Sequence, residues 1–425
     1  MLITKNHKEN HMKKIALLSL VASSVLLAGG YKIPEQSTNA VALGAANVAH
    51  NHNSADAAYY NPAKMVFMSD ENHIEADLTY IGLDKIKYNG TVGAGSYNLE
   101  SKSENFLVPT LHYVSGKLGD NGARVGLSIV APAGLSKQWD KEPARTSAEE
   151  FTLKTIEINP TVAFEVTKKL AFAVGFRLVY SDGTVKSNGV VGAPFPTTTA
   201  SRDMTGDSID FGYNFAFEYM PIDNLELGLT YRSKVDLTTE GHATLGTNFT
   251  LVPPSTYDGA SSLTVPLPAA LNLAVAYTLP SKTTVEVVYE RTYWSKYNQL
   301  DFTYPTALTN PVLSGAFDDV KVKNWKDTST FRLGITQELD ALTLMGGVVI
   351  DETPVPEKTI GFELPDSDSV SVSLGGRYKI NEKMDIALAG LYSMRESRTV
   401  NNTSLNGEFS DGNVLIISAG VGYKF

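Results

Sequence analysis

The stretch at residues 210–237, DFGYNFAFEYMPIDNLELGLTYRSKVDL, decides the fold class. In its first half every second residue is large and apolar: Phe211, Tyr213, Phe215, Phe217 and Tyr219. A turn at residues 221–224 follows, and the apolar positions then resume at Leu225, Leu227, Leu229, Tyr231, Val235 and Leu237. Alternation with a period of two is typical of β-strands with one apolar face. The stretch therefore predicts a β-hairpin whose other face is polar and charged.

The same alternation continues from about residue 72 to the C-terminus, and its strands are longer than those of soluble sheets. We expect strands of about 11 to 14 residues, which suits a tilted transmembrane strand, whereas globular strands cluster near 5 to 6. Short turns are predicted near 119–122, 167–169, 221–224, 280–282, 340–341 and 381–383. Long loops are predicted at about 84–105, 132–149, 184–206, 239–261, 297–325, 353–366 and 398–411. This asymmetry predicts an all-β, transmembrane antiparallel β-barrel of about fourteen strands.

The last strand also alternates and ends on an aromatic residue. Its apolar face carries Leu415, Ile417, Ala419, Val421, Tyr423 and the terminal Phe425. A C-terminal aromatic residue on such a strand is typical of substrates of the outer-membrane barrel assembly machinery. We therefore expect that machinery, outer-membrane lipid and lipopolysaccharide to be partners of the chain.

The N-terminus predicts export. Met12 opens a second start, followed by Lys13 and Lys14, an apolar run at 15–27 and small residues at 28–30. This order is that of a secretory signal, and the run is too short for a membrane-spanning helix. We predict a signal peptide at residues 1–28, with Met12 as the initiator, and a location in a Gram-negative outer membrane.

Composition excludes several function classes. The full chain has 36 basic and 46 acidic residues, a net charge of -10, which argues against a nucleic-acid partner. Cysteine is absent, so disulfides and thiolate chemistry are excluded. The mean hydropathy of -0.10 does not contradict a barrel, because only every second residue of a barrel strand faces lipid.

Residues 29–71 do not alternate and are rich in Ala, Asn and Gly. The lumen of a fourteen-stranded barrel is too wide for wall side chains to fill. We therefore predict that residues 29–71 form an N-terminal hatch, or plug, inside a barrel formed by residues 72–425. A disordered periplasmic tail is the alternative interpretation.

Several motifs spread along the mature chain are similar to those of the FadL/TodX family of outer-membrane hydrocarbon transporters. They are Gly30-Tyr31-Lys32-Ile33 with Glu35 and Ser37, Asn61-Pro62-Ala63, Leu229-Thr230-Tyr231-Arg232-Ser233, Leu267-Pro268-Ala269, Trp325-Lys326-Asp327-Thr328, Arg332-Leu333-Gly334 and Asp351-Glu352-Thr353-Pro354-Val355-Pro356. The resemblance implies a monomeric fourteen-stranded barrel with a hatch. It also implies passive uptake of long-chain fatty acids or similar hydrophobic molecules, with no cofactor and no metal.

The resemblance also implies substrate-binding residues. Tyr31 falls on an aromatic residue at the mature N-terminus, and Lys321 falls on a lysine that contacts the carboxylate. A second basic position of the family falls on Ser187. Neighbouring Lys186 is the candidate replacement, although alternation points it to the other side of the strand. For either lysine, a solvated loop charge is the alternative.

The family's capture groove lies between its third and fourth long loops. The corresponding loops here are unusually apolar, with Val185, Val190, Val191, Phe195, Leu245, Phe249, Leu251 and Val252. Exposed apolar groups often mark interaction sites, so Phe195 and Phe249 are candidate substrate contacts. Packing of these side chains on one another is an equal alternative.

Gating residues follow from the same comparison. Asn61, Pro62 and Ala63 end the predicted hatch, and Asp351 resembles a carboxylate that faces it; an ordinary turn and a lumenal salt bridge are the alternatives. The predicted third strand contains Gly126, Pro132 and Gly134, where the family has an inward kink and a lateral opening. Proline cannot donate to a β-ladder, so a defect here is physically reasonable.

Four other functions compete with fatty-acid uptake. A channel for aromatic hydrocarbons is the nearest alternative. A general porin and an adhesin leave the hatch unexplained. An outer-membrane lipase would pair a serine with a histidine. His112 and His242 are the only histidines beyond the start of the barrel, and no Gly-x-Ser-x-Gly motif occurs. We therefore predict that the chain is not an enzyme.

Overall fold

The structure is a computed structural model that describes residues 29–119, 122–192 and 194–425, so the predicted signal peptide at 1–28 lies outside the described residues. The strands are β1 (His73–Leu83), β2 (Ile86–Val92), β3 (Gly95–Glu100), β4 (Glu104–Val114), β5 (Arg124–Val130), β6 (Gly134–Gln138), β7 (Glu150–Thr167), β8 (Leu170–Val190), β9 (Thr199–Ile222), β10 (Leu225–Arg232), β11 (Val235–Thr247), β12 (Thr256–Leu267), β13 (Ala270–Thr278), β14 (Thr283–Thr292), β15 (Gln299–Leu300), β16 (Phe302–Thr303), β17 (Lys321–Val322), β18 (Thr328–Glu338), β19 (Leu342–Asp351), β20 (Ser369–Lys379), β21 (Met384–Arg395), β22 (Arg398–Asn401), β23 (Leu405–Asp411) and β24 (Val414–Lys424). The α-helices are α1 (Thr38–Leu43), α2 (Ala57–Tyr60), α3 (Arg145–Ala148) and α4 (Pro311–Phe317), and the 3-10 helices are Pro62–Phe67, Trp294–Lys296 and Glu357–Thr359.

The main sheet closes into an antiparallel barrel of fourteen strands, which confirms the predicted fold class. The pairs β5 and β6, β10 and β11, and β12 and β13 each form one wall strand in two parts. Closure joins β1 to β24, from His73 opposite Lys424 to Leu83 opposite Val414. The six predicted short turns all connect neighbouring wall strands, so they define the periplasmic end. The long connections lie at the extracellular end.

The outer surface of the wall is apolar, as the alternation predicts. On β9 the side chains of Phe211 and Tyr213 are 59% and 57% exposed. Between them, Gly212 faces the lumen near Arg177 and Ser233. In the part of the chain that the structure describes, no helix has the length and apolar character needed to span a bilayer.

Two divided wall strands invert the predicted alternation. Val235 and Leu237, expected on the lipid face, are fully buried, whereas Lys234 and Asp236 between them are exposed and paired at 2.6 Å. The division at 233–234 interrupts the alternation. Even-numbered residues face the lumen in β10, whereas odd-numbered residues face it in β11. The neighbouring division at 268–269 has the same effect, placing Leu263 and Val265 inside. The prediction of one lipid-facing stripe through residue 237 was therefore wrong.

The third and fourth long loops are shorter than predicted because their strands extend far beyond the membrane length. β8 and β9 have 21 and 24 residues, and they pair without interruption from Leu170 opposite Tyr219 to Val190 opposite Thr199. Val185, Lys186 and Leu245, expected in loops, therefore lie in strands. Residues 191–198 alone connect β8 to β9.

The third wall strand is broken where the sequence predicts a defect. β5 ends at Val130 and β6 begins at Gly134, and the ladder between β4 and β5 runs only from Leu111 to Val114. The hatch pairs with the broken segment: Ile33 N donates to Pro132 O, and Gly134 N donates to Tyr31 O, each at 2.9 Å. The N-terminus of the hatch thus acts as a short extra strand at the break.

The segment 29–71 packs against lumenal side chains around the wall. Glu286 on β14 accepts hydrogen bonds from the consecutive main-chain amides of Val48, Ala49 and His50, at 2.8, 2.7 and 3.1 Å. Within the segment, Asp56 accepts hydrogen bonds from Ser37, Asn39, Asn47 and Asn51. Most of its residues are buried.

Glycines in the wall allow this close approach. A Cβ at Gly347 would lie within 3.0 Å of the main-chain carbonyl of Leu43 in α1. At the adjacent Gly346 a Cβ would make ordinary contacts, with Ser373 O at 3.5 Å. The face of β19 that carries Gly347 therefore packs tightly against the hatch, whereas the face that carries Gly346 does not contact it.

We expect Gly347→Ala to displace the hatch and Gly346→Ala to leave it in place. The first substitution forces a methyl group into main-chain atoms, whereas the second adds a methyl group with room around it. Leakage of a small sugar into liposomes containing the purified protein should rise for Gly347→Ala only. Equal leakage of both variants would show that the close contact at Gly347 does not hold the seal.

Candidate functional site

A narrow, partly enclosed cavity lies in the lumen on the extracellular side of the hatch. Its free volume is about 30 Å³, so the side chains that line it lie close together. Its walls are Tyr31, Leu135, Phe151, Thr152, Leu153, Gly183, Val185, Met204, Gly206, Thr239, Leu263, Val265 and Tyr297. Small-molecule sites are typically concave and mostly apolar, as this lining is. The inverted segments β11 and β12 supply part of this apolar surface.

Tyr31 forms the hatch side of the cavity, where the resemblance placed it. Its hydroxyl donates to Pro266 O at 2.6 Å. Its ring makes an edge contact with Trp294 at 4.7 Å between centroids, and it lies 5.7 Å from Trp325 and 6.2 Å from Tyr297. An aromatic cluster therefore links the hatch N-terminus to the extracellular connection between β14 and β18.

The described residues that line the cavity include no charged side chain, but a buried arginine stands beside it. Arg202 is two ladder pairs beyond Met204 on the same face of β9, and it lies opposite Ser187. Its guanidinium donates to Ser187 Oγ at 3.2 Å, and its Cζ lies 4.1 Å from the centroid of the Phe302 ring. Arg202 therefore supplies a cation where the family pattern has a basic residue and this chain has Ser187.

The two lysines predicted from the sequence lie elsewhere. Lys186 points away from the lumen and contacts Glu150 and Asp203 at 3.7 and 3.6 Å. Lys321 is exposed on β17, outside the cavity. Two residues on, Lys323 is buried and paired with Glu363. The structure does not bring Lys186 or Lys321 to the cavity, so their contact with substrate stays a prediction.

Phe195 and Phe249 pack near each other at the extracellular end. Their ring centroids are 6.2 Å apart, and Phe195 remains 53% exposed while Phe249 contacts the buried core. This arrangement combines both sequence-based interpretations, since the rings contact each other and still leave apolar surface in solvent.

The Asn61-Pro62-Ala63 motif fixes the end of the hatch to the wall. The Asn61 amide donates to Val48 O at 2.9 Å and to Glu218 Oε2 at 2.8 Å, and its oxygen accepts from Ala63 N. Pro62 begins a 3-10 helix whose Lys64 pairs with Glu218 and Glu226. A gating role for the motif stays a prediction.

A charged cluster lies below the cavity, between the hatch and the wall. Asp351 accepts from Thr330 at 2.5 Å and contacts the start of the hatch at Gly29. Lys32 pairs with Glu290 at 2.5 Å, and Arg332 lies 3.6 Å from the same carboxylate. The sequence-based placement of Asp351 against the hatch therefore agrees with the geometry.

Glu35 of the hatch faces this cluster. It is buried, and its Oε2 has no hydrogen-bond partner among the described residues. Burial raises the pKa of Glu35 to about 7, against the opposing effect of Arg332. Sequence reasoning did not single out its charge, because a glutamate in a non-alternating segment carries no burial signal.

The predicted lateral-opening residues have two different roles. Pro132 and Gly134 lie at the break of the third wall strand and bond to the hatch. Gly126 lies in regular β5, opposite Val114 and Thr161. A Cβ at Gly126 would clash with Met65 and Ala58 of the hatch. Gly126 therefore leaves room for the hatch to pack against β5, and it is not part of the break in the third wall strand.

His112 has a serine partner that sequence reasoning missed. Its Nδ1 lies 3.0 Å from Ser128 Oγ, and its Nε2 lies 2.9 Å from the carbonyl oxygen of Gln36. Both side chains are fully buried beneath the hatch. A hydrolytic triad needs a third group that orients the histidine and a route for substrate. Here the second nitrogen holds the hatch main chain instead.

Comparison with known proteins agrees with this architecture. The model of the family described as outer membrane protein transport protein (OMPP1/FadL/TodX) matches residues 19–425. The long-chain fatty acid transport protein of Escherichia coli K12 is 24% identical over 97% of both chains. Outer membrane protein P1 of Haemophilus influenzae is 24% identical over 88% of this chain and 89% of its own.

Solved structures share the fold. A FadL homologue of Pseudomonas aeruginosa superposes with a TM-score of 0.82 and 20% identity, covering 93% of this chain and 100% of its own. The toluene transporter TodX of Pseudomonas putida superposes with a TM-score of 0.68 and 19% identity, covering 92% and 98%. The chain belongs to the FadL/TodX family of outer-membrane transport proteins.

Proposed function

We propose that this barrel takes up long-chain fatty acids or similarly apolar molecules across the outer membrane, without an energy source of its own. The apolar cavity above a sealed hatch carries this proposal. Burying hydrocarbon is worth about 0.8 kcal/mol per methylene, so this apolar lining can capture a dilute acyl chain once its side chains move apart. The E. coli relative named for long-chain fatty acids supports this substrate class.

Arg202 is our candidate for the contact with a fatty-acid carboxylate. Its Nε has no hydrogen-bond partner in the described part of the chain. The residue as a whole is 8% exposed. A buried guanidinium with a free donor favours a carboxylate, because charge-assisted hydrogen bonds are the strongest that a side chain makes. An acyl chain reaching from Arg202 toward Tyr31 would follow the cavity lining.

An aromatic hydrocarbon channel is the second candidate function. The uncharged lining favours a neutral ligand, and the TodX neighbour is named for toluene. The two candidates differ in whether the cation beside the cavity contributes to binding.

We expect Arg202→Gln to weaken binding of a fluorescent long-chain fatty acid to the purified barrel by roughly ten- to a hundredfold, since a hydrogen bond to a charged group is worth about 1.5–3 kcal/mol. Binding of the fatty alcohol of equal length should not change. Lys186→Gln and Lys321→Ala serve as controls that remove a cation outside the cavity.

Loss of affinity in Lys321→Ala or Lys186→Gln, but not in Arg202→Gln, would move the carboxylate contact back to the sequence-predicted lysine. Competition by toluene with no effect of any variant would favour the hydrocarbon channel. Failure to bind acid, alcohol and toluene alike would refute the transport proposal.

We infer that the chain has no catalytic role and does not act as an open porin. The hatch supports this inference because it fills the lumen that a porin keeps wet. We also propose lipopolysaccharide and outer-membrane lipid as its surroundings, the barrel assembly machinery as the partner that recognises Phe425, and a monomeric state.

We further propose that substrate leaves sideways through the break in the third wall strand. Above the break, the two sides are joined by Ser136 donating to Glu104 and by Lys102 N donating to Gln138 O at 2.9 Å. Tyr31 belongs both to the cavity and to the hatch strand that pairs at the break. Occupancy of the cavity and opening of the break would therefore be linked through one residue.

Lateral release can be tested by thiol cross-linking, because the chain has no native cysteine. With Glu104→Cys and Ser136→Cys joined by a short reducible bis-thiol reagent, uptake should fall severalfold and recover on reduction. The control pair Ser371→Cys and Ser393→Cys joins two residues that are opposite each other in the regular ladder of β20 and β21. Normal uptake by the fully cross-linked first pair would exclude this exit.

We also propose that Glu35 makes the seating of the hatch sensitive to pH. Its neighbours of both signs are Lys32, Glu290, Arg332 and Asp351. Because the folded-state pKa of Glu35 is raised from 4.5 to about 7, the seated hatch prefers the protonated acid. Its stability should fall as pH rises between these two values and level off above them.

Acrylamide quenching of Trp294 and Trp325, which contact the hatch N-terminus, should report this change. We expect quenching to increase between pH 5 and pH 8 in the wild type and to increase clearly less in Glu35→Gln. Glu382→Gln, at an exposed turn, should behave as the wild type. An unchanged pH profile in Glu35→Gln would contradict the assignment.

A further inference from the structure

A group of metal-ligating side chains lies at the periplasmic end of the lumen, away from the cavity. His50 and His52 belong to the hatch, and Glu338 is the last residue of β18. Each offers an imidazole nitrogen or a carboxylate oxygen, and one such atom from each residue lies within 4.8 Å of the other two. The sequence could not have indicated this group, because Glu338 is 286 positions from His52.

The histidines are held in place and each keeps one nitrogen unused. His50 Nδ1 lies 2.9 Å from Glu226 Oε1, and His52 Nδ1 lies 3.0 Å from Glu338 Oε1. The Nε2 atoms of both are buried and have no hydrogen-bond partner among the described residues. The side chain of His52 is only 10% exposed. Buried polar atoms are rarely left unpartnered, so two together need a physical explanation.

We propose that His50, His52 and Glu338 form a binding site for a divalent transition-metal ion of the zinc type. Two imidazoles and a carboxylate are a common ligand set for such an ion, with water in the fourth position. Glu226 would act as the carboxylate that orients His50 through its second nitrogen, an arrangement typical of metal-bound histidines.

The geometry requires a small contraction. Zinc–nitrogen and zinc–oxygen bonds of about 2.0–2.2 Å place tetrahedral ligand atoms roughly 3.4 Å apart. Since the present separations are at most 4.8 Å, they need to close by at most about 1.4 Å, which side-chain rotation can supply because Glu338 is 47% exposed. The same exposure gives an ion a route from the periplasmic side.

The surrounding charge does not oppose a cation. Arg377, the arginine that borders the same periplasmic cavity as His52, is paired with Glu75 and Asp385. Lys64 is paired with Glu218 and Glu226. Arg377 and Lys64 thus already have carboxylate partners, and Glu338 brings a further negative charge. Lys282 also lies near Glu338, but it is exposed to solvent.

A metal at this position would tie the hatch to the wall, because two ligands lie on the hatch and the third on β18. It would oppose any release step that moves the hatch near His50. This inference depends on the position of the hatch and not on which substrate the barrel carries.

The test is calorimetric titration of Zn²⁺ into the untagged, chelator-washed, full-length barrel in detergent at pH 7.5. We expect one equivalent to bind, with affinity at least tenfold weaker in His52→Ala and in Glu338→Gln. His242→Ala is the matched control, since His242 is 58% exposed at its side chain and lies on β11 outside the site. Each unheated variant should keep the electrophoretic mobility of the unheated wild type, which will show that it is a folded barrel.

Zn²⁺ should also reduce acrylamide quenching of Trp294 and Trp325 in the wild type, reversibly with a chelator, and not in His52→Ala. Absence of binding up to millimolar Zn²⁺ would overturn the proposal. Equal binding by wild type, His52→Ala and Glu338→Gln would overturn it as well, because the ion would then lie elsewhere.

Discussion

The three hydrogen bonds from Val48, Ala49 and His50 to one carboxylate, that of Glu286, show the constraint on which the rest of the structure depends. A fourteen-stranded wall leaves a lumen that side chains cannot fill, and here a piece of chain without regular pairing fills it. The main-chain amides of that piece lose water and need partners. The wall supplies them as charged side chains, which explains why the periplasmic part of the lumen is rich in carboxylates and arginines.

The extracellular part of the lumen obeys the opposite requirement, since only the N-terminal residues of the hatch reach it. There the wall turns apolar because the divisions at 233–234 and 268–269 exchange the two faces of their strands. Val235, Leu237, Leu263 and Val265 would face lipid without these divisions, and with them they are buried inside. A local irregularity in two wall strands thus creates a polar zone that holds the hatch and an apolar zone that can hold a ligand.

Predictions from the sequence succeeded where the type of a residue is enough to indicate its environment. The alternation on β9 gave the lipid face, the short turns gave the strand number, and the motif at Tyr31 placed that ring in the cavity. They failed where the environment depends on a partner strand. The face exchange at 233–234 leaves the composition unchanged. Arg202, which we propose as the basic contact, stands opposite Ser187, which lies fifteen positions earlier. Lys186 was a weaker candidate because strand alternation directs it outward.

The seal and the proposed exit share the same few residues, and this sharing would let a passive transporter remain closed. Residues 31–33 of the hatch complete the main-chain pairing at the break next to Pro132, so the wall is regular there only while the hatch N-terminus is in place. Tyr31 also packs against the cavity and against Trp294. A ligand that displaces the Tyr31 ring would weaken the pairing at the break without unfolding the polar contacts at Glu286. Binding energy from the apolar zone can therefore open the wall locally while the periplasmic part of the hatch stays seated.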